Sequence, residues 1–159
     1  MEFYTIGVYN STEEEFFHKL TLNKIDTFCD IRQRRGVRGA TYSFVNSIRL
    51  QKKLKELGIV YYYVEDLAPS PAIREVQVKI DKKNKTQQRV RQKLDSSFIL
   101  GYENKVLEKF NFGEFIEHLN ISRSNKIALF CVEENHEACH RSLVANKFKA
   151  GLNYKVRHL

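Results

Sequence analysis

Five short apolar runs, at residues 3–8, 25–31, 59–64, 127–132 and 154–158, alternate with segments whose apolar residues recur at helical spacing. That alternation leaves few architectures open to the chain. A strand that returns through a helix comes back parallel to its predecessor, and parallel sheets bury both faces beneath helices. The predicted fold class is α/β. We expect a single three-layer domain with a mainly parallel five-stranded sheet, helices on both faces, and a helical insertion around residues 70–122.

Local signals place the helices. Ser11 and Thr12 followed by Glu14 and Glu15 form an N-terminal capping signature, after which Phe16, Phe17 and Leu20 mark one helix face through about Leu22. Residues 44–57 form a second helix closed by Gly58. Pro69 and Pro71 punctuate a loop, residues 73–122 are helical with the aromatic segment 110–116 included, and residues 141–150 form a helix capped by Gly151. At 159 residues the chain suits one domain, which buries about 70% of its unfolded surface at that size. No apolar run approaches the roughly 20 residues that span a bilayer, and no signal peptide is visible. Three cysteines, an odd number, do not make a secreted disulfide framework. A cytoplasmic protein is expected, and no membrane partner.

Parallel strands share one carboxyl edge, the usual ligand position in open α/β sheets. That edge would gather Gly7, Tyr9 and Asn10, then Asp30 and Arg32, Glu65 and Asp66, Cys131 and Glu133, and His158. Period-two alternation puts Asp30 and Arg32 on one side of their strand. They can pair with each other, or Asp30 can orient another arginine or a catalytic imidazole.

Charge sharpens the expected chemistry. The formal net charge is +8 and clusters twice. Arg32, Arg34, Arg35 and Arg38 surround Gly36 and Gly39, and arginine forks match phosphate oxygens in pairs. Lys79, Lys82, Lys83, Lys85, Arg89, Arg91 and Lys93 fill a second, polar stretch. A phosphate-bearing small molecule or nucleic acid is the expected partner. Asn10 and Tyr42 join the candidate anion contacts.

Residues 127–148 carry the reactive groups. The apolar run ends in a polar loop, and the first turn of the next helix is expected to hold Cys139, His140 and Arg141. Cys139 is a candidate nucleophile, His140 a candidate general acid–base, and Arg141 an oxyanion clamp, with Asp30 or Glu133 orienting the reactive group. Cys131, inside the apolar run, is expected in the core. A metal is conceivable through Cys131, His136, Cys139 and His140, but only Cys139 and His140 are adjacent, so no metal site and no cofactor is assigned. A Cys131–Cys139 disulfide is disfavoured in a reducing compartment. The phosphatase spacing, with an arginine six residues after the nucleophile, is absent, and the loop is acidic at Glu133, Glu134 and Glu137.

Several of these residues occur together in a known family. Thr5-Ile6-Gly7, Asp30-Ile31-Arg32, Arg34-Arg35-Gly36-Val37-Arg38-Gly39, Tyr42 with Phe44-Val45-Asn46-Ser47, Gly58-Ile59-Val60-Tyr61, Asp66-Leu67-Ala68-Pro69, and Cys131-Val132-Glu133 through Cys139-His140-Arg141-Ser142-Leu143 stand in family order. The chain resembles the domain of unknown function 488 family nearly end to end. It departs at Val8-Tyr9, where many members have His-Ser. The resemblance implies a compact α/β domain and supplies no reaction.

Three functions fit these residues. One is an enzyme on a phosphate-bearing or nucleic-acid-derived substrate, with Arg32, Arg38 and Arg141 binding the anion. Another is a non-catalytic nucleic-acid-binding module that uses residues 32–38 and 79–93. The third is a structural or partner-binding protein whose signature residues hold the loop in place. The oligomeric state is not legible from one chain.

Overall fold

A computed structural model describes all residues 1–159. Five parallel strands form one sheet in the order β3-β2-β4-β1-β5, with β1 at Glu2–Ile6, β2 at Thr27–Asp30, β3 at Val60–Tyr63, β4 at Lys126–Phe130 and β5 at Lys155–His158. Six helices surround it: α1 Glu13–Leu22, α2 Ser47–Glu56, α3 Pro71–Lys83, α4 Ser96–Tyr102, α5 Phe112–Ile121 and α6 His140–Asn146. The α/β class is as expected. No helix is long and apolar enough to cross a membrane.

Alternation along each strand divides the core in two. Tyr4, Ile6, Phe28, Ala128 and Phe130 face one side and pack against Phe16 and Leu20 of α1 and Leu50 and Leu54 of α2. Phe3, Cys29, Ile127 and Leu129 face the other, against Phe98, Leu119, Val144 and Phe148. β1, β2 and β4 are buried almost throughout, whereas the edge strands β3 and β5 are half exposed. Central parallel strands therefore read as mainly apolar runs, because neither face meets water.

Caps set most helix starts. Thr12 and Glu15 complete a reciprocal capping box on α1. Ser70 accepts from the Ile73 amide and Pro71 opens α3, where a missing N–H costs nothing. Gly58 follows α2 with φ of +71°, a left-handed turn that glycine adopts without strain.

Two boundaries differ from expectation. The helix expected over residues 44–57 divides at Asn46, which is extended, into a 3-10 turn at Ser43–Val45 and α2. Asn46 spends its side chain on the Val37 amide at 2.7 Å and so pins the arginine loop instead of continuing a helix. Cys139 does not lie within the helical turn. A 3-10 turn at His136–Ala138 precedes it, its own backbone is extended, and α6 starts at His140 before continuing through a π turn at Lys147–Gly151.

Candidate active site

Strand direction delivers the reactive groups to one place. A cavity of about 500 Å³ opens at the carboxyl ends of β1, β2 and β4, roofed by α3 and the segment that follows it. Cys131, Glu133, Cys139 and His140 line it together with Arg32, Arg34, Arg38, Arg74, Arg89, Arg91 and Lys82. Seven basic side chains therefore face only two carboxylates, Asp81 and Glu133. Burial, and then the nearby charge of Arg34, lower the pKa of Arg74.

The loop from β4 to α6 depends on a close backbone approach. A side chain at Gly7 would put its Cβ 2.0 Å from the Glu133 carbonyl oxygen. Val8 and Tyr9 both donate backbone N–H groups to Val132. Arg141 is buried and donates from Nη1 and Nη2 to the Glu133 and Glu134 carbonyls. It does not line the cavity, so the residue expected as an oxyanion clamp holds the loop in shape.

Arg32 and Asp30 resolve the ambiguity at the end of β2. The buried Asp30 carboxylate receives Arg32 Nε at 2.8 Å, Arg32 Nη2 at 2.7 Å and the Tyr61 hydroxyl at 2.9 Å. Asp30 thus orients an arginine, while the His140 ring bonds elsewhere, to the Ile31 carbonyl and towards Cys139. Arg32 also donates from Nη2 to the Val45 carbonyl, and its Cζ lies 4.5 Å over the Phe130 ring. Its Nη1 is buried with no partner. Arg32 lines the cavity, and Nη1 is its one uncommitted nitrogen.

The remaining candidates divide. Tyr42 lines the cavity and its hydroxyl accepts from the Asn10 amide at 3.0 Å. Asn10 itself is exposed and bonds Glu134 outside the cavity. Arg35 also leaves it, with its guanidinium 4.1 Å over the Tyr63 ring. Arg34 and Arg38 stay.

Cys139 is almost fully buried, with Sγ 3.8 Å from His140 Nδ1. His140 Nε2 lies 2.9 Å from the Ile31 carbonyl, which can only accept, so Nε2 carries a proton and Nδ1 faces the thiol. Burial opposes ionisation of Cys139. The neighbouring Cys131 thiol, the Arg141 charge and His140 outweigh it and hold the Cys139 thiol well below its ordinary value of 9.0. Burial likewise opposes the charge on His140, yet the facing Cys139 sulfur raises it above 6.5. The pair therefore favours thiolate and imidazolium, the ion pair a cysteine nucleophile requires. Glu133 is raised by burial first and then by Cys139.

Cys131 is buried, as expected, and it also lines the cavity, because β4 ends at Phe130 and Cys131 lies just beyond it. Its Sγ is 3.3 Å from Glu133 Oε2. Cys131, Cys139 and His140 bring their donor atoms within 4.8 Å of one another, and all three cysteines are free thiols. The wide spacing along the chain argued against grouping these three donors, but the loop folds back and brings them together. His136 does not join it; its ring stacks on His158 at 3.6 Å.

Some site residues were invisible in sequence. Arg74 reaches the cavity from α3, but Ile73-Arg74-Glu75 is indistinguishable locally from a solvated helix face. Arg91 stood out only as part of a basic run. It bridges Asp81 at 2.7 Å and Glu133 at 3.2 Å and also donates to the Ala138 carbonyl. Gln88 donates to the same Glu133 oxygen as Arg91, at 2.8 Å.

A family model described as domain of unknown function DUF488 matches residues 12–148. That span includes every cavity-lining residue named above; Tyr9, which also lines the cavity, precedes it. No curated protein and no solved structure matches the chain.

Proposed function

Since the chain belongs to the DUF488 family, a domain whose function is unknown, we propose from its cavity that it is an enzyme acting on a phosphate-bearing or nucleic-acid-derived substrate, with Cys139 as nucleophile and His140 as its proton partner. One observation carries the reading: a thiol–imidazole pair lies on the floor of a cavity whose walls hold six arginines and one lysine. Either feature alone is ordinary. Together they put a nucleophile where an anionic group would be bound.

Roles follow from the contacts. Arg32 offers Nη1 to a phosphate oxygen while Asp30 and Tyr61 keep its plane fixed. Arg34, Arg38, Arg74 and Arg89 supply charge around it. The Cys139 sulfur bonds to the electrophilic atom, and the leaving group departs with the bonding pair and the proton held on His140 Nδ1. Arg141 and Asp30 are positioning residues.

Screening phosphate-bearing compounds and short oligonucleotides for turnover tests this directly. Cys139→Ser and His140→Ala should each abolish turnover, by about 100-fold or more for loss of the acid–base group. Arg74→Met should raise KM with a smaller effect on kcat. Full turnover by Cys139→Ser would overturn the reading.

A further inference from the structure

We propose that Cys131, Cys139 and His140 form a site for one thiophilic divalent cation of the zinc class, with a fourth coordination position open to the cavity. Three donors of the right chemistry come from both ends of the β4–α6 loop. A tetrahedral zinc centre, with bonds of about 2.3 Å to sulfur and about 2.0 Å to nitrogen, sets its donors roughly 3.5–3.8 Å apart. Cys139 Sγ and His140 Nδ1 already stand 3.8 Å apart, and the three donor atoms lie within 4.8 Å of one another. Only small rotations of buried side chains bring them to one centre.

The surroundings have the support such a site needs. A metal-bound histidine usually donates its other ring N–H to a carbonyl or carboxylate, which fixes the ring and its tautomer. His140 does this through Nε2 to Ile31, leaving Nδ1 for the metal. Two sulfurs and an imidazole favour zinc-like ions over magnesium or calcium, which take oxygen ligands. Cys131 must lose its proton to bind, and Glu133 Oε2, 3.3 Å away, is an acceptor within reach. Because all three ligands line the cavity, the open position faces the arginines. Three protein ligands with one open position is the arrangement of catalytic zinc, whereas structural sites are closed by four.

The site stands on its own geometry; only its consequence rests on the function proposed above. A sulfur bonded to the cation is no longer a free nucleophile, so loading and Cys139 reactivity exclude each other. Zinc occupancy would hold the nucleophile in a silent state.

The test uses the untagged full chain, stripped with a chelator and exchanged into metal-free buffer. Titration with Zn2+ against a chromogenic chelator should give one ion per chain, and Co2+ should produce a thiolate-to-metal charge-transfer band. Cys131→Ser, Cys139→Ser and His140→Ala should lose the uptake, while Cys29→Ala, a buried cysteine outside the cluster, keeps it. Should the ligand variants fail to fold, the Co2+ spectrum of the unaltered protein decides the matter, and absence of the thiolate band overturns the site. Zn2+ should also slow iodoacetamide labelling of Cys139. Rapid labelling of metal-free protein that takes up no Zn2+ overturns the metal site and leaves the nucleophile standing. Stoichiometric uptake by a protein whose Cys139 labels no faster than an ordinary thiol supports the metal site and counts against the nucleophile.

Discussion

Arg32 and Arg141 are both buried arginines at the carboxyl edge of one sheet, and their partners give them different work. Each keeps one buried nitrogen without a partner, Nη1 in Arg32 and Nε in Arg141, but Arg141 satisfies main-chain carbonyls behind the loop, whereas Arg32 is held by a carboxylate and lines the cavity. Removing one member of a buried ion pair leaves the other charge uncompensated, so Asp30→Ala should cost about 3–5 kcal/mol in denaturant unfolding. A loss below about 1 kcal/mol, the range of exposed pairs, would contradict the assigned pairing. Gly7→Ala tests the loop through sterics instead: overpacking of this kind costs about 1–3 kcal/mol, and the displaced Glu133 backbone should also slow Cys139 labelling. The Cys139 pH profile has a definite sign. Burial alone would raise the thiol, but Cys131, Arg141 and His140 lower it, so in the presence of a chelator its labelling should hold a plateau well below pH 9. It should fall only as the pH descends through the lowered value. A rate still climbing towards pH 9 would contradict the ion pair.

At the scale of elements, legibility followed burial. β1, β2 and β4 were plain in sequence because both faces are covered and the charged residues Glu2, Asp30 and Lys126 stand only at strand ends. Thr12–Glu15 announced α1 through its cap. The break at Asn46 was not legible, since the reason for it is a hydrogen bond to Val37 across the arginine loop. Nor was the inward turn of Arg91, which sits among lysines that do face water. Cys131, Cys139 and His140 were legible only as conceivable ligands alongside His136, because contacts closed by a folded loop leave no periodic trace to select among them. Arg91 ties the segment after α3 to the β4–α6 loop through Asp81, Glu133 and the Ala138 carbonyl. Arg91→Ala should therefore cost about 1–3 kcal/mol, between the ranges for exposed and fully buried pairs, since Arg91 and Asp81 are half-buried. Amide exchange should quicken over residues 133–139 while β1 and β4 keep their protection. Uniform acceleration across the sheet would mean that Arg91 supports the whole domain and not this loop.

The whole molecule turns a diffuse property into a local one. A net charge of +8 could be spread evenly, and its lysines largely are, with Lys52 and Lys55 exposed on α2. The parallel topology instead carries the arginine loop after β2 and the basic segment after α3 to the same opening, so two clusters far apart in sequence act on one volume. Position should then matter more than charge count. Each cation in contact with phosphate contributes close to one counterion to the salt dependence of binding a single-stranded oligonucleotide. The double variant Arg38→Gln, Arg89→Gln should lower the slope of log affinity against log salt by about two at most. The double variant Lys52→Gln, Lys55→Gln removes the same formal charge from outside the cavity and should leave that slope nearly unchanged. Equal loss in both would mean that the charge acts as a diffuse field around the domain, and the cavity would lose its claim as the place where the anion is held.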